Sequence, residues 1–413
     1  MNSAARKPPY SSGRNTDFEK MLRALLLPLV MFLLSALSAA AENDPLTLNI
    51  ALYPYVPDQD RFVQAIGSQW DRQYPEVKLN FVSWDSYSGN PGEDPDVFVY
   101  DSVFLYDFLE KGLLLPLAEE DIRDPGDLVP AALSACKADG VIYAIPQLLC
   151  TNLLFSREGD DEIRNIRNIR ELYDVIGDSA DTELPPPEAD DLLVGIPSVA
   201  DLVFWYLETE IDLEQRFSEW VSVPDAGMLD PDIVAVLTAV RNMAGVDQMT
   251  YSPQDSYIRG SWFAGGLGRA LIGFSETMSA MGEAAGNVEF HRISLSEDED
   301  IPMLYADLAS INAGIGDEKK PYALELLNLI TGPDVLIRAS VPEREDQNPQ
   351  YLLSARMSVY DALSAEYPVY GALKGIVSDP RSRVFVVRPG GRALMEQGAQ
   401  SLSLPLPAGN ENE

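Results

Sequence analysis

Strands and helices alternate from Leu46 onward, and this order predicts an α/β fold in two lobes. Two further observations support it. Once an N-terminal leader is set aside, roughly 370 residues remain, enough for two domains rather than one. Hydrophobic residues make up 46% of the chain and aromatic residues 9%, the composition of a globular protein with a full core.

The leader is an apolar run, residues 25–37, preceded by Lys20 and Arg23 and followed by Ala39, Ala40 and Ala41. A positive flank, an apolar centre and small residues before Glu42 form the pattern of a cleavable export signal over residues 1–41. Met21 opens such a signal by itself, so residues 1–20 read as an upstream extension. The run is shorter than the roughly 20 residues that span a bilayer. No cysteine follows it to carry a lipid. The expectation is a monomer exported to the periplasm or the medium, with no membrane anchor in its mature form.

Residues 46–52 alternate apolar with polar or small side chains and read as a strand. Phe62, Ile66 and Trp70 share one face at helical spacing and predict a helix over 58–73. A second strand is expected at 77–82. Residues 96–100 give a third, where Asp96 leads into a short continuous apolar run of the kind buried in a parallel sheet. An amphipathic helix over 103–111 and a helical stretch ending near Cys136 follow. A turn at Asp139 and Gly140 then leads into strands that continue to Arg157. The glycines of 265–268 lack dinucleotide-loop spacing and precede a strand, so they read as a turn. Pro185, Pro186 and Pro187 predict a surface loop on the second lobe, and residues 408–413 a frayed tail.

Charge and histidine content narrow the chemistry. Sixty-five acidic side chains against 30 basic ones leave a net charge of −35. Nucleic acid and anionic lipid need a basic footprint and are repelled by such a surface, whereas a cationic small molecule is attracted. His291 is the sole histidine. It lies in an alternating, strand-like stretch and reads as structural. Histidine-dependent triads and multi-histidine zinc sites are thereby set aside, and catalysis falls to carboxylates, tyrosines or a cysteine. Of the two cysteines, Cys150 is either a small buried hydrophobe, half of a disulfide with Cys136 as an exported protein could form, or a reactive thiol.

The order of elements resembles type II periplasmic solute-binding proteins, two-lobed with an inter-lobe cleft. Residues 138–157 look like the first crossing between lobes, 262–274 like the segment that feeds the cleft from lobe two, and 301–312 like the return crossing. On that resemblance lobe one is 44–147 with 308–340, and lobe two is 148–307 with 341–407. Cys150 then falls just after the first crossing and faces the cleft.

Seven fragments carry a closer resemblance. They are residues 51–57 (ALYPYVP), 84–87 (WDSY), 96–102 (DVFVYDS), 149–155 (LCTNLLF), 261–264 (SWFA), 273–276 (GFSE) and 349–353 (PQYLL). In this order they resemble bacterial thiaminase I, the thiamine pyridinylases. The resemblance implies Cys150 as nucleophile and Glu276 as the base that takes its proton. It implies Asp101 and Asp307, each following a predicted strand, as hydrogen-bond partners of the aminopyrimidine, and Tyr53, Tyr55, Tyr87, Tyr257 and Tyr305 as aromatic cleft lining. The partners it implies are thiamine and an organic nucleophile, with no cofactor and no metal. Two departures stand out: Phe274 occupies a position where tyrosine is expected, and Cys136 is an additional cysteine. The competing expectations are an exported receptor for thiamine or a related solute and, less in keeping with the fragments, a sugar-binding protein.

Overall fold

The computed structural model describes residues 45–179, 188–195, 199–217, 226–245, 248, 257–344, 347–388 and 390–402. The export signal, the proline loop at 185–187 and the tail at 408–413 lie outside these. No helix among the described residues is long and apolar enough to cross a membrane.

In chain order the strands are β1 (Thr47–Ala51), β2 (Lys78–Phe81), β3 (Val97–Asp101), β4 (Lys137–Ala138), β5 (Val141–Ile142), β6 (Ile145–Cys150) and β7 (Leu153–Arg157). They continue with β8 (Leu192–Val194), β9 (Ala270–Gly273), β10 (Val288–His291), β11 (Met303–Ile311), β12 (Leu353–Ser354) and β13 (Arg383–Val384). Two main sheets organise them, and β4 and β5 pair apart as a two-stranded ribbon. The first main sheet runs β12-β6-β11-β3-β1-β2, with β13 beside β11, and the second runs β10-β7-β9-β8.

The first α/β unit forms as its pattern dictates. Asp58 caps the helix Gln59–Gln73 by accepting from the Arg61 amide at 3.2 Å, and Phe62, Ile66 and Trp70 bury one face against the sheet. The Trp70 indole N–H donates to the Val77 carbonyl at 2.7 Å, fixing where the chain re-enters the sheet as β2. Farther on, the stretch 103–111 is not one continuous helix. A 3-10 turn, Ser102–Phe104, precedes the helix Leu105–Glu110, because the Asp101 carboxylate accepts from the Val103 amide and tightens the first turn.

One further feature departs from the sequence reading. β3 is fully buried, but only its β1 neighbour is parallel; on its other side it pairs antiparallel with β11. Residues 303–311 are a single strand of the first sheet. Leu353–Ser354 pairs with β6 in the same sheet. Such strand partners are set by tertiary pairing, which local hydrophobic pattern does not encode.

β6 and β7 belong to different sheets and are separated only by Thr151 and Asn152. β11 returns from the second sheet to the first between β6 and β3. The functional side chains gather where these strands meet.

Candidate active site

Strand register places four of the expected residues on one face. Across the antiparallel pairing of β11 with its neighbours, Tyr305 stands opposite Cys150 and Asp307 opposite Asp101. Residues two apart on a strand share a face, and directly paired residues do too. Cys150, Tyr305, Asp307 and Asp101 therefore form a compact patch at the centre of the first sheet. Asp101 ends its strand, but Asp307 lies in the middle of β11 rather than after it.

Glu276 arrives from the second sheet. It lies three residues beyond β9, on the 3-10 turn Ser275–Ala280, and its carboxylate Oε1 is 3.8 Å from the Cys150 Sγ. Gly260 permits the support beneath it: a Cβ there would sit 2.3 Å from the Thr277 carbonyl oxygen, so only glycine lets the helix Ile258–Ala264 lie this close to the turn. The Ser275 hydroxyl donates to the Tyr351 carbonyl at 2.6 Å, and its oxygen lies 3.3 Å from Glu276 Oε2. Phe274 brings no hydroxyl, so this contact to Glu276 comes from the next residue instead. Sequence reading gave no signal for Ser275, because a serine beside a glutamate is unremarkable.

Tyrosines surround the patch. Tyr53 and Tyr55 meet edge to face at 5.4 Å, and Tyr55 meets Tyr87 at 6.0 Å. The Tyr87 hydroxyl donates to Asp101 Oδ2 at 2.9 Å, and that of Tyr55 to Asp85 Oδ2 at 2.8 Å. From the second lobe the Tyr257 hydroxyl reaches the Tyr55 carbonyl at 3.4 Å. Tyr305 packs against Phe204, Phe385 and Phe274, at 5.3, 5.8 and 6.2 Å between ring centroids. All nine expected residues thus lie in one connected region. Its edge holds one residue that the sequence reading missed: Glu208, buried, accepts on Oε2 from the Tyr305 hydroxyl at 3.1 Å and from the Asn152 side-chain amide at 2.9 Å.

Electrostatics here are dominated by the burial of several carboxyls and a thiol. Burial pushes the Glu276 carboxyl up to about 7. Burial, then the charges of Asp101 and Glu276, hold Asp307 well above the carboxylate range. Burial likewise raises Asp101, opposed by its hydrogen bonds from Val103 and Tyr87. The Cys150 thiol is raised well above its ordinary value by burial first, then by Glu276, Asp307 and Asp101. Cys150 is therefore a neutral thiol at rest, beside a carboxyl whose titration burial moves to about 7. Both cysteines are free; Cys136 is fully buried and its thiol faces the Ala132 carbonyl at 3.3 Å. No cluster of three or more potential metal ligands occurs among the described residues. His291 bonds the Ile166 carbonyl through Nε2 at 2.7 Å, as a structural residue would.

A stability prediction follows from these shifts. Glu276 and Asp212 are raised to about 7 and Glu208 to about 8, in each case chiefly by burial, against roughly 4 in an unfolded chain. Between those limits the native state binds more protons than the unfolded state, so stability falls as pH rises. Thermal melting should therefore move to lower temperature from about pH 5 to about pH 8. A midpoint that is flat or rises over that window would show that these carboxyls are not held protonated.

Two sheets joined by crossings, with tyrosines gathered where they meet, define a two-lobed solute-binding architecture that carries a thiol beside a carboxyl. The maltose-bound MalE3 of T. maritima shares the fold at a TM-score of 0.62 and 16% identity, covering 87% of this chain and 99% of that one. Residues 151–296 match the Thiaminase-1 domain. Thiaminase-1 of Paenibacillus thiaminolyticus is 42% identical over 388 residues, 93% of this chain and 94% of that protein. The structure of Clostridium botulinum thiaminase I in complex with thiamin is similar at a TM-score of 0.83 and 40% identity, covering 86% of this chain and 98% of that one. The chain belongs to the thiaminase-1 family of enzymes.

Proposed function

We propose that this protein degrades thiamine by moving its pyrimidinylmethyl group from the thiazole to an organic base, through a covalent adduct on Cys150. The observation that carries this reading is the Cys150 Sγ at 3.8 Å from Glu276 Oε1, in a cleft lined by tyrosines and carboxyls. Glu276 takes the thiol proton as sulfur bonds to a carbon of the pyrimidine ring. The ring's electrons then expel the thiazole, breaking its bond to the methylene carbon. The organic base attacks that carbon, electrons return through the ring, and the C–S bond breaks to restore the thiol.

Each group has a physical task in this scheme. A neutral Asp307 carboxyl can donate to the pyrimidine, where sulfur addition builds up electron density, while Asp101, already bonded by Tyr87 and Val103, holds the neighbouring position. The tyrosine faces suit a flat heterocycle. Thiamine's positive charge is attracted by the net charge of −35, and once beside the thiol it offsets the carboxyls that keep Cys150 protonated. Ionisation of the thiol is thereby coupled to binding. In this reading the protein is exported through residues 1–41 and acts as a monomer, without a cofactor.

Incubation of the mature protein with thiamine and aniline or pyridine tests the proposal by mass spectrometry. Free thiazole alcohol and the pyrimidinylmethyl adduct of the amine are expected, and only when the amine is present at useful rates. Tight thiamine binding with no thiazole release across several amines would leave the receptor reading in its place.

A further inference from the structure

We infer that Glu208 is a positioning residue of this site: it holds the Tyr305 ring against Cys150 and ties together the two crossings that connect the sheets. The inference rests on the thiaminase reading for its activity test, and on geometry for everything else.

Glu208 lies on the helix Val199–Glu214, with Phe204 four residues before it and Asp212 four residues after. Side chains four apart share a helix face, and all three act on the crossings. Phe204 packs edge-on against the Tyr305 ring at 5.3 Å. Glu208 Oε2 accepts both the Tyr305 hydroxyl and the Asn152 amide. Asp212 accepts the Leu295 amide at 2.7 Å and the Ile301 amide at 2.9 Å, anchoring the chain that enters β11. Asn152 belongs to the two-residue link between β6 and β7, immediately after the Cys150 strand, and Tyr305 stands opposite Cys150 on β11. One carboxyl thus grips the outgoing crossing and the returning one, on either side of the thiol.

The chemistry of the grip suits a neutral group. Burial, then the charges of Asp212 and, less strongly, Asp300, raise Glu208 to about 8, so near neutral pH its Oε2 acts as a carbonyl-like acceptor for two donors. A glutamine supplies the same acceptor at nearly the same place. A leucine fills the volume and takes this shared acceptor away from both donors.

The experiment compares wild type, Glu208→Leu, Glu208→Gln, Tyr305→Phe and the Leu/Phe double variant in thiamine turnover with aniline, with circular dichroism and thermal melts as controls for folding. Removing a buried acceptor that serves two donors typically costs enough to change an equilibrium by about tenfold to a hundredfold. Glu208→Leu should therefore lower kcat/KM by about tenfold or more while the protein stays folded. Glu208→Gln should recover most of that loss. In the Tyr305→Phe background Glu208→Leu should cost less than it does alone, because the hydrogen bond they share is already gone and only the Asn152 contact remains to be lost. A folded Glu208→Leu with wild-type kcat and KM, or losses that multiply independently in the double variant, would overturn the inference. If Glu208→Leu does not fold, Tyr305→Phe with wild-type kcat and KM overturns it equally. Should the wild type release no thiazole, the functional reading fails by itself. The positioning is then read from Cys150 alkylation by iodoacetamide, which needs no thiamine. Freeing the ring should speed alkylation severalfold in folded Glu208→Leu and less in Glu208→Gln, and equal rates in all three would contradict it.

Discussion

Cys150→Ser is expected to abolish thiamine turnover, by ~10⁴-fold or more, while Cys136→Ser leaves it nearly intact. The expectation rests on where the two thiols lie. Cys150 sits at the cleft end of β6, half-buried, with a carboxyl 3.8 Å away to take its proton. A serine hydroxyl there has a far higher pKa and leaves a carbon adduct much less readily, so both halves of the covalent route are lost. Removing a nucleophile in other covalent enzymes costs up to ~10⁶ in kcat. Cys136 is fully buried at the end of the helix Pro130–Ala135 and bonds the Ala132 carbonyl, a contact a serine hydroxyl can repeat. Its replacement should cost about 1 kcal/mol of stability and little activity. Equal loss from both substitutions, with a mass change of two protons on reduction of the wild type, would mean that the active protein depends on a disulfide.

Glu276→Gln is expected to lower turnover by ~10² to 10⁴, the range of general-base catalysis, with a much smaller effect on thiamine affinity. The pH behaviour separates the roles of the carboxyl. In the wild type the base form accumulates as pH rises through about 7, so kcat/KM should climb across that pH. Glutamine does not titrate, and that limb should vanish. The substitution also removes the second-largest cause holding the thiol proton on, so the thiol of the variant ionises at lower pH than that of the wild type. Alkylation of Cys150 at alkaline pH should consequently be at least as fast in Glu276→Gln as in wild type, even though turnover is only partly recovered there. Turnover within a few-fold of wild type at neutral pH would remove Glu276 from the proton transfer. Slower alkylation at alkaline pH would show that its charge does not oppose thiol ionisation.

The reach of the sequence differed between residues for physical reasons. The helix Gln59–Gln73 and strands such as Val288–His291 announce themselves through apolar spacing. Cys150, Glu276, Tyr53, Tyr55 and Tyr87 stood out through fragments in a fixed order rather than through any local pattern, whereas Tyr257 and Tyr305 lie outside those fragments and came only with the wider resemblance. Asp307 was expected to follow its strand, and a charged side chain inside a fully buried strand is costly. It sits mid-strand, where burial and neighbouring carboxyls hold the proton on it. The pairings Tyr305 with Cys150 and Asp307 with Asp101 could not be seen at all, since register between strands more than 150 residues apart is decided by tertiary packing. Glu208 was hidden in a helix dominated by apolar residues; its spacing with Phe204 and Asp212 was the available clue, and it acquires meaning only once β11 is seen to pass alongside.

The central claim is that thiamine's pyrimidine becomes covalently attached to Cys150. Mixing the protein with thiamine in the absence of an added amine, quenching within one turnover and measuring intact mass tests this most directly. The account expects a protein species heavier by the pyrimidinylmethyl group, located by peptide mapping on Cys150, appearing together with free thiazole and disappearing when aniline is added. Thiazole released in the same time with no mass change on the protein, or an adduct on any residue other than Cys150, would contradict it.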